Sequence, residues 1–92
     1  MIRQSMQIIN RSGLHLKPAS RLCHAASQFQ CNVTLCYQDV SVNAKSVLSI
    51  LSACVKGGAN IEIICEGMDE GEAMRAIANA VASGLGEVRS SE

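Results

Sequence analysis

Residues 33–42 of the chain read VTLCYQDVSV, and this stretch determines what kind of sheet the chain can form. Apolar and polar side chains alternate from Val33 to Tyr37, as they do in a strand with one buried face. Gln38-Asp39 interrupts the alternation and Val40-Ser41-Val42 resumes it, which predicts two strands joined by a tight turn. Strands that keep one polar face favour an antiparallel or mixed sheet with a single covered side.

The other elements follow from the periodicity on either side of this stretch. Alternation predicts strands over residues 2–9 and 61–66, and three- and four-residue spacing predicts helices from Lys17 to near Ser27, from Ser46 to Gly57-Gly58, and from about Glu70 through Leu85, with Asp69 as the N-cap. The order β-α-β-β-α-β-α, without repeat or linker, predicts one α+β domain over residues 1–92. We expect a two-layer sandwich with all helices on one face of the sheet.

The composition excludes several classes of protein. The chain is 48% hydrophobic, with Phe29 and Tyr37 as its only aromatic residues, and no apolar run approaches the roughly 20 residues that span a bilayer. The N-terminal residues lack the basic and apolar regions of a signal peptide, so we expect a cytoplasmic protein without membrane insertion. The absence of a basic cluster and of paired aromatics argues against binding to nucleic acid.

Charge is distributed unevenly, although the net charge is zero. Residues 1–60 hold six Lys and Arg against one Asp, whereas residues 61–92 hold two Arg against seven Asp and Glu. Such asymmetry predicts either a basic face that meets an acidic partner, or two halves that attract each other within the folded chain.

The five cysteines give no pattern of a disulfide framework or a zinc site, because their number is odd and no pair forms CxxC. Cys23, Cys54 and Cys65 interrupt apolar stretches, which is typical of reduced cysteine acting as a small hydrophobic residue. We therefore expect neither metal nor cofactor, and a redox role is the less favoured interpretation.

The segment Gly13-Leu14-His15-Leu16-Lys17-Pro18-Ala19 is the candidate site for chemistry. A strand ends, glycine allows a tight turn, and a histidine stands where a helix opens. Exposed N–H groups and the positive end of the helix dipole attract anions at such a position. His15 there is a candidate nucleophile for a phosphoryl group, whose charge Lys17 offsets during transfer. A simple helix cap is the competing interpretation. His24 lies off the apolar stripe of its helix and is expected on the solvated surface.

Ser46 and the residues after it form a second candidate site. Ser46 precedes a short apolar helix, so it is either an N-cap worth ~1 kcal/mol or a serine whose phosphorylation the helix dipole would favour. Val47, Leu48 and Leu51 exceed what one short helix buries, so some of them are expected either in the core or in an exposed docking patch.

Two segments together resemble HPr, the histidine-containing phosphocarrier family of the phosphoenolpyruvate:sugar phosphotransferase system. They are residues 13–19 and Ser41-Val42-Asn43-Ala44-Lys45-Ser46-Val47, followed by Lys56-Gly57-Gly58, and the likeness covers essentially the whole chain. The resemblance implies an open-faced β-sandwich of four antiparallel strands with three helices on one face. It also implies that the protein is a carrier modified by partner enzymes and is no turnover catalyst itself.

The resemblance further implies the partners and the site residues. Enzyme I phosphorylates His15 through Nδ1, EIIA-type proteins accept the phosphoryl group, and a kinase/phosphorylase of many relatives acts on the serine that corresponds to Ser46. Lys17 corresponds to the family's basic residue after the histidine. The implied docking surface consists of Leu16, Ser20, Val47, Leu48 and Leu51, and a monomer is expected.

Three departures from the family pattern concern Lys17, Leu16 and Cys54. Lys17 stands where the family usually has Arg, so phosphate meets a point charge in place of a bidentate fork. Leu16 replaces a small or hydroxyl residue and changes the surface that a partner meets. Cys54 stands where relatives often have Gly after the short helix, which predicts that this helix runs further.

Two other functions remain open at the level of sequence. One is the nitrogen-type branch of the same family, which relays phosphate to regulators without transporting sugar. The other is a regulatory binding module that acts through Ser46 and the patch of Val47, Leu48 and Leu51, and that would keep its function without His15. A free-standing enzyme fits poorly, because no second acid or base, nucleotide loop or metal set is present in the sequence.

Overall fold

The computed structural model describes residues 1–86. Residues 87–92, which end the predicted domain and hold part of the predicted acidic excess, lie outside the described residues. The elements in chain order are β1 (Ile2–Gln7), α1 (Leu16–Ser27), β2 (Asn32–Tyr37), β3 (Val40–Asn43), α2 (Val47–Ser52), β4 (Asn60–Glu66) and α3 (Glu70–Ala82).

The four strands form one antiparallel sheet in the order β1-β4-β2-β3, which confirms the predicted sheet type. Leu35 of β2 lies opposite Ile63 of β4 on one side and Val42 of β3 on the other. Because residues directly opposite in an antiparallel pair point to the same face, these three side chains share the covered face. The alternation in residues 33–42 thus fixes the register of the sheet.

The three helices cover one face of this sheet, as predicted, and leave the other face open. Helices α1 and α3 each contribute a stripe of buried side chains to a single core between the two layers, and α2 contributes Ile50. The largest fully buried side chains of this core, from helices, strands and loops together, are Ile8, Leu22, Leu35, Ile50, Ile63, Ile77 and Leu85. The buried core contains no aromatic residue, and Phe29 and Tyr37 are partly buried against it.

The predicted extension of α2 to Gly57-Gly58 is wrong. The helix ends at Ser52, and Cys54 adopts a left-handed φ of 55°. A residue in this conformation directly after the C-cap terminates a helix, and glycine is the usual occupant because other side chains are strained there. Cys54 therefore takes the glycine-like conformation itself and does not lengthen the helix.

The last helix is also shorter than predicted. It ends at Ala82, and Leu85 has a left-handed φ of 53° while its amide donates to the carbonyl oxygen of Ala80 over 3.0 Å. This turn folds the Leu85 side chain back into the core, where 2% of it is exposed. The apolar periodicity included Leu85 because burial of its side chain does not require a helical backbone.

Asp69 occupies the N-cap position predicted for it, but its side chain makes no capping bond to α3. The carboxylate accepts from the backbone amides of Gln30 over 2.8 Å and Cys31 over 2.9 Å instead. These bonds keep the pKa of Asp69 below its usual value, chiefly through the amide of Gln30. Asp69 thereby ties the start of α3 to the loop that enters β2.

Candidate functional site

The turn before His15 depends on a glycine. Gly13 has a φ of +75°, and a Cβ placed on it would lie 2.2 Å from the carbonyl oxygen of Val55. The next amide, that of Leu14, donates to the same oxygen over 3.0 Å. A side chain at residue 13 would therefore separate the His15 turn from the chain that leaves α2.

A second glycine closes the contact from the opposite side. A Cβ on Gly57 would lie 2.0 Å from the carbonyl oxygen of Arg11. The amide of Gly58 donates to the oxygen of Ile8 over 2.8 Å, and the amide of Ile8 donates to the oxygen of Ala59 over 2.9 Å. The loop before α1 and the loop before β4 are thus held together by backbone contacts. These contacts fix the position of the His15 turn relative to the loop before β4.

His15 is the N-cap residue of α1. Its backbone is extended, with φ −82° and ψ −169°, and its carbonyl oxygen accepts from the amide of Ala19 over 2.9 Å. The imidazole makes no capping bond to the helix, and the residue is exposed. The amides of Leu16 and Lys17 have no intrahelical acceptor at this end, which leaves two donors and the positive end of the helix dipole beside the ring.

Basic residues lie in the first turn of α1 and in the loops beside it. Lys17 is exposed in the first turn of α1, which contains no acidic residue, and Arg11 and Lys56 are exposed on the two loops that meet at Gly13. Within residues 1–86, none of these three cations lies within 4 Å of a carboxylate. The ion pairs that this part of the chain does form, Arg3–Glu62 and Met1–Glu70, involve β1 and the residue before it. The combination makes the surroundings of His15 electropositive and suited to an anion.

Ser46 caps α2, as one of its two interpretations predicted. Its Oγ accepts from the amide of Ser49 over 3.2 Å, and the residue is half-buried. The carbonyl oxygen of Ser46 accepts from the amide of Ile50 over 3.0 Å. The capping bond by itself accounts for a serine at this position.

The predicted docking residues divide by exposure. Leu48 is 79% exposed and Leu16 is 63% exposed, whereas Val47 and Leu51 are half-buried against the core. Ser20 is exposed one turn along α1 from Leu16. Two large apolar side chains therefore lie uncovered on α1 and α2, the helices that flank the His15 turn.

His24 is exposed near the end of α1, as expected for a surface residue away from the site, and its Nε2 lies 3.4 Å from the side-chain Nε2 of Gln28.

No sequence pattern indicated the supporting role of Asn10. The Nδ2 of its buried side chain donates to the carbonyl oxygen of Gly84 over 2.8 Å, and the backbone carbonyl oxygen of Asn10 accepts from the amide of Gly13 over 3.1 Å. Asn in a polar turn is too common a signal to reveal a contact with a residue 74 positions away.

The described residues contain neither a cluster suited to a metal ion nor a membrane-spanning helix. In residues 1–86 no group of three or more His, Cys, Asp or Glu side chains is placed to hold a metal ion. In the same part of the chain no helix is long and apolar enough to cross a membrane.

Comparisons with known proteins agree with this geometry. Residues 2–83 match the family model described as the phosphotransferase system HPr component phosphorylation site. The phosphocarrier protein HPr of Neisseria meningitidis is 37% identical over 87 residues, which covers 95% of this chain and 98% of that protein. A crystal structure of HPr from Thermoanaerobacter tengcongensis has a TM-score of 0.91 at 34% identity and covers 97% of this chain and 100% of that one.

A third relative is known in a dimeric form. Crh, the catabolite repression protein of Bacillus subtilis, has a TM-score of 0.73 at 31% identity and covers 91% of this chain and 97% of that one. Its crystal structure was described as a dimer with a swapped domain.

The fold and the site therefore define a phosphocarrier component of the phosphotransferase system. The chain belongs to the HPr family.

Proposed function

We propose that His15 carries the phosphoryl group, receiving it from enzyme I and passing it to an EIIA-type acceptor. The observation that carries this proposal is the position of His15, which is exposed at the N-terminus of α1 above a turn that only glycine permits. The other histidine of the chain, His24, lies near the opposite end of the same helix. The resemblance assigns the transfer to the Nδ1 atom.

The proposed transfer is a substitution at phosphorus. The lone pair of the His15 ring nitrogen forms a bond to phosphorus while the bond from phosphorus to the donor group of enzyme I breaks, and the donor group keeps the electron pair. The second step repeats this substitution with the acceptor group of the EIIA protein as the nucleophile. Amides at the helix terminus and the Lys17 ammonium stabilise charge on the phosphoryl oxygens, where electrostatic stabilisation supplies most of the catalysis.

Docking of both partners is proposed to use the exposed side chains of Leu16 and Leu48, together with Ser20, Val47 and Leu51. A basic surface around an apolar centre fits a partner with an acidic rim, and such charge complementarity raises the association rate. A single face that meets successive partners is consistent with a monomer, which is the proposed working form. The alternative is a carrier of the nitrogen-type branch, which would pass the phosphoryl group to a regulator without transporting sugar.

The proposed carrier function is tested by phosphoryl transfer from phosphoenolpyruvate with purified enzyme I. Wild type, His15→Ala and the matched control His24→Ala are compared by intact mass after confirmation that each variant is folded. We expect the mass increase of one phosphoryl group on wild type and His24→Ala and none on His15→Ala. Labelling of His15→Ala, or no labelling of wild type by an enzyme I that is active on another carrier, would contradict the proposal.

Ser46 is proposed as a second, regulatory phosphorylation site. Its place at the N-terminus of α2 lets the helix dipole stabilise a phosphate, and Leu48 of the docking surface lies on the same helix. Incubation with ATP and an HPr kinase/phosphorylase tests this role on wild type, Ser46→Ala and the control Ser52→Ala. Loss of the phosphoserine in Ser46→Ala alone would support it, and equal labelling of all three proteins would refute it.

A further inference from the structure

One polar side chain is enclosed in the apolar core. Asn10 is 3% exposed, and among residues 1–86 it is the one buried residue with an amide, hydroxyl or charged side chain. Burial of an amide costs free energy unless hydrogen bonds replace its contacts with water. An asparagine at this position therefore indicates a bond that the fold uses.

The side chain of Asn10 binds the end of α3. Its Nδ2 donates to the carbonyl oxygen of Gly84 over 2.8 Å. Gly84 lies in the turn after α3, where its own amide donates to the carbonyl oxygen of Val81 over 3.1 Å and the side chain of Leu85 is buried. The bond thus joins the loop after β1 to a turn that is itself anchored in the core.

The main chain of Asn10 binds the His15 turn. The backbone carbonyl oxygen of Asn10 accepts from the amide of Gly13 over 3.1 Å and closes the turn of residues 10–13. Leu14, whose amide donates to the carbonyl oxygen of Val55, leads directly into His15. One residue therefore connects the end of α3 to the turn that presents the histidine.

The packing around Asn10 leaves the main chain little room to shift. A Cβ placed on Gly57 would lie 2.7 Å from the carbonyl oxygen of Asn10 and 2.0 Å from that of Arg11. This close approach of the loop before β4 restrains the turn on one side, and the bond to Gly84 restrains it on the other. Loss of either restraint would let Gly13 move, and His15 with it.

We propose that Asn10 is a positioning residue of the phosphoryl site, which fixes the His15 turn by binding the end of α3. This role rests on the proposed carrier function of His15. Phosphoryl transfer needs the nucleophile roughly in line with the leaving group, and a misplacement of about 1 Å can slow such a step roughly 100-fold. Asn10 acts through the backbone of the turn, whereas Lys17 acts on the phosphoryl oxygens.

Single-turnover transfer from phosphorylated enzyme I tests the role of Asn10. Rapid quenching over a range of carrier concentrations gives the maximal rate and the half-saturating concentration for wild type and Asn10→Ala, at a temperature at which circular dichroism shows both to be folded. We expect Asn10→Ala to lower the maximal rate roughly 10- to 100-fold and to keep the half-saturating concentration within about twofold, because Leu16 and Leu48 of the docking surface keep their side chains.

Two further variants separate positioning from stability. Ile77→Val loosens a fully buried position of α3 and leaves the bond between Asn10 and Gly84 in place, so it should keep the maximal rate of wild type. Asn10→Ser shortens the side chain so that it no longer reaches Gly84 but keeps a polar group in the turn. It should slow transfer in the same direction as Asn10→Ala, and it replaces that variant if the alanine protein does not fold.

Amide hydrogen exchange gives a second measurement that a general loss of stability would not reproduce. In Asn10→Ala the amides of Gly13 and Leu14 should exchange faster by a larger factor than the amide of Ala44, which donates to Val33 on the far strand pair. A variant that is only less stable would accelerate all three amides alike.

The outcomes distinguish this role from the carrier function itself. Absence of label on wild type, with an enzyme I active on another carrier, would refute both. A labelled wild type with an unchanged maximal rate for the Asn10 variants would overturn the role of Asn10 alone. Equal slowing by Ile77→Val, or equal acceleration of exchange at Gly13 and Ala44, would also overturn it.

Discussion

The amide nitrogen of Leu14 donates to the carbonyl oxygen of Val55 over 3.0 Å, which ties the residue before His15 to the chain leaving α2. One bond thus connects the turn that presents the histidine to the helix that carries Leu48 and Ser46. Since Gly13 permits the approach, the phosphoryl site and the docking surface form one rigid unit.

Replacement of Gly13 should damage this unit. In Gly13→Ala the new methyl group meets the Val55 oxygen at a left-handed φ, so we expect a loss of roughly 2–4 kcal/mol in the free energy of unfolding. Gly71→Ala is the control, because a Cβ there meets nothing within 4 Å and should stabilise α3 by up to about 1 kcal/mol. Urea unfolding measures both. Equal stability of Gly13→Ala and wild type would show that the two loops do not need their close contact.

Truncation of Leu48 should affect binding to enzyme I, whereas truncation of Ile50 on the same helix should affect stability. Leu48→Ala removes a side chain that is 79% exposed, so its stability should stay within about 0.5 kcal/mol of wild type while phosphorylation by enzyme I slows through a higher KM. Ile50→Ala, which empties a fully buried position, should cost about 2–5 kcal/mol. Steady-state phosphorylation together with urea unfolding separates the two effects. An unchanged KM for Leu48→Ala would remove Leu48 from the docking surface.

The N-cap of α2 has a measurable contribution to stability. Ser46→Ala loses the bond from the amide of Ser49 and should lower the free energy of unfolding by about 1 kcal/mol. Ser46→Asp keeps an acceptor and adds charge at the positive end of the helix dipole, so it should restore most of the loss. Thermal unfolding compares the two, and equal Tm values for Ser46→Ala and wild type would show that the cap is not needed.

Acid should weaken the contact of Asp69 with Gln30 and Cys31. The folded protein holds the pKa of Asp69 below its usual value, so the carboxylate stabilises the fold above the unfolded pKa and this contribution disappears as pH falls through the folded pKa. Asp69→Asn should therefore have a lower Tm than wild type at pH 7, and the difference should shrink below about pH 4. Asp39→Asn, which removes a carboxylate from the β2–β3 turn, is the control for charge alone. A difference that does not change with pH would mean that ionisation of Asp69 contributes nothing to stability.

The predictable and unpredictable parts of this fold have different physical origins. Alternation around Gln38-Asp39 was enough to predict two strands of a sheet with one covered face, since it depends only on neighbours in sequence. For the same reason, the order glycine, histidine, helix in residues 13–19 was enough to predict His15 at the start of a helix. The left-handed Cys54 was not predictable, because glycine is the usual residue in this conformation and cysteine has no propensity for it.

Long-range partners were hidden for a related reason. The Asp69 carboxylate bonds to amides 38 and 39 residues away, and no local pattern distinguishes it from an ordinary N-cap aspartate. The side chain of Asn10 likewise donates to the carbonyl oxygen of Gly84, 74 positions away. Spacing along the sequence therefore could not reveal either contact.

The central claim is that the phosphoryl group resides on the ring of His15. Tandem mass spectrometry of wild type, phosphorylated by enzyme I and kept at alkaline pH, tests it directly because phosphohistidine survives base and is lost in acid. We predict one acid-labile phosphoryl group within residues 12–21, localised to His15. Its localisation to His24, or an acid-stable group on Ser46 as the only product, would contradict the account.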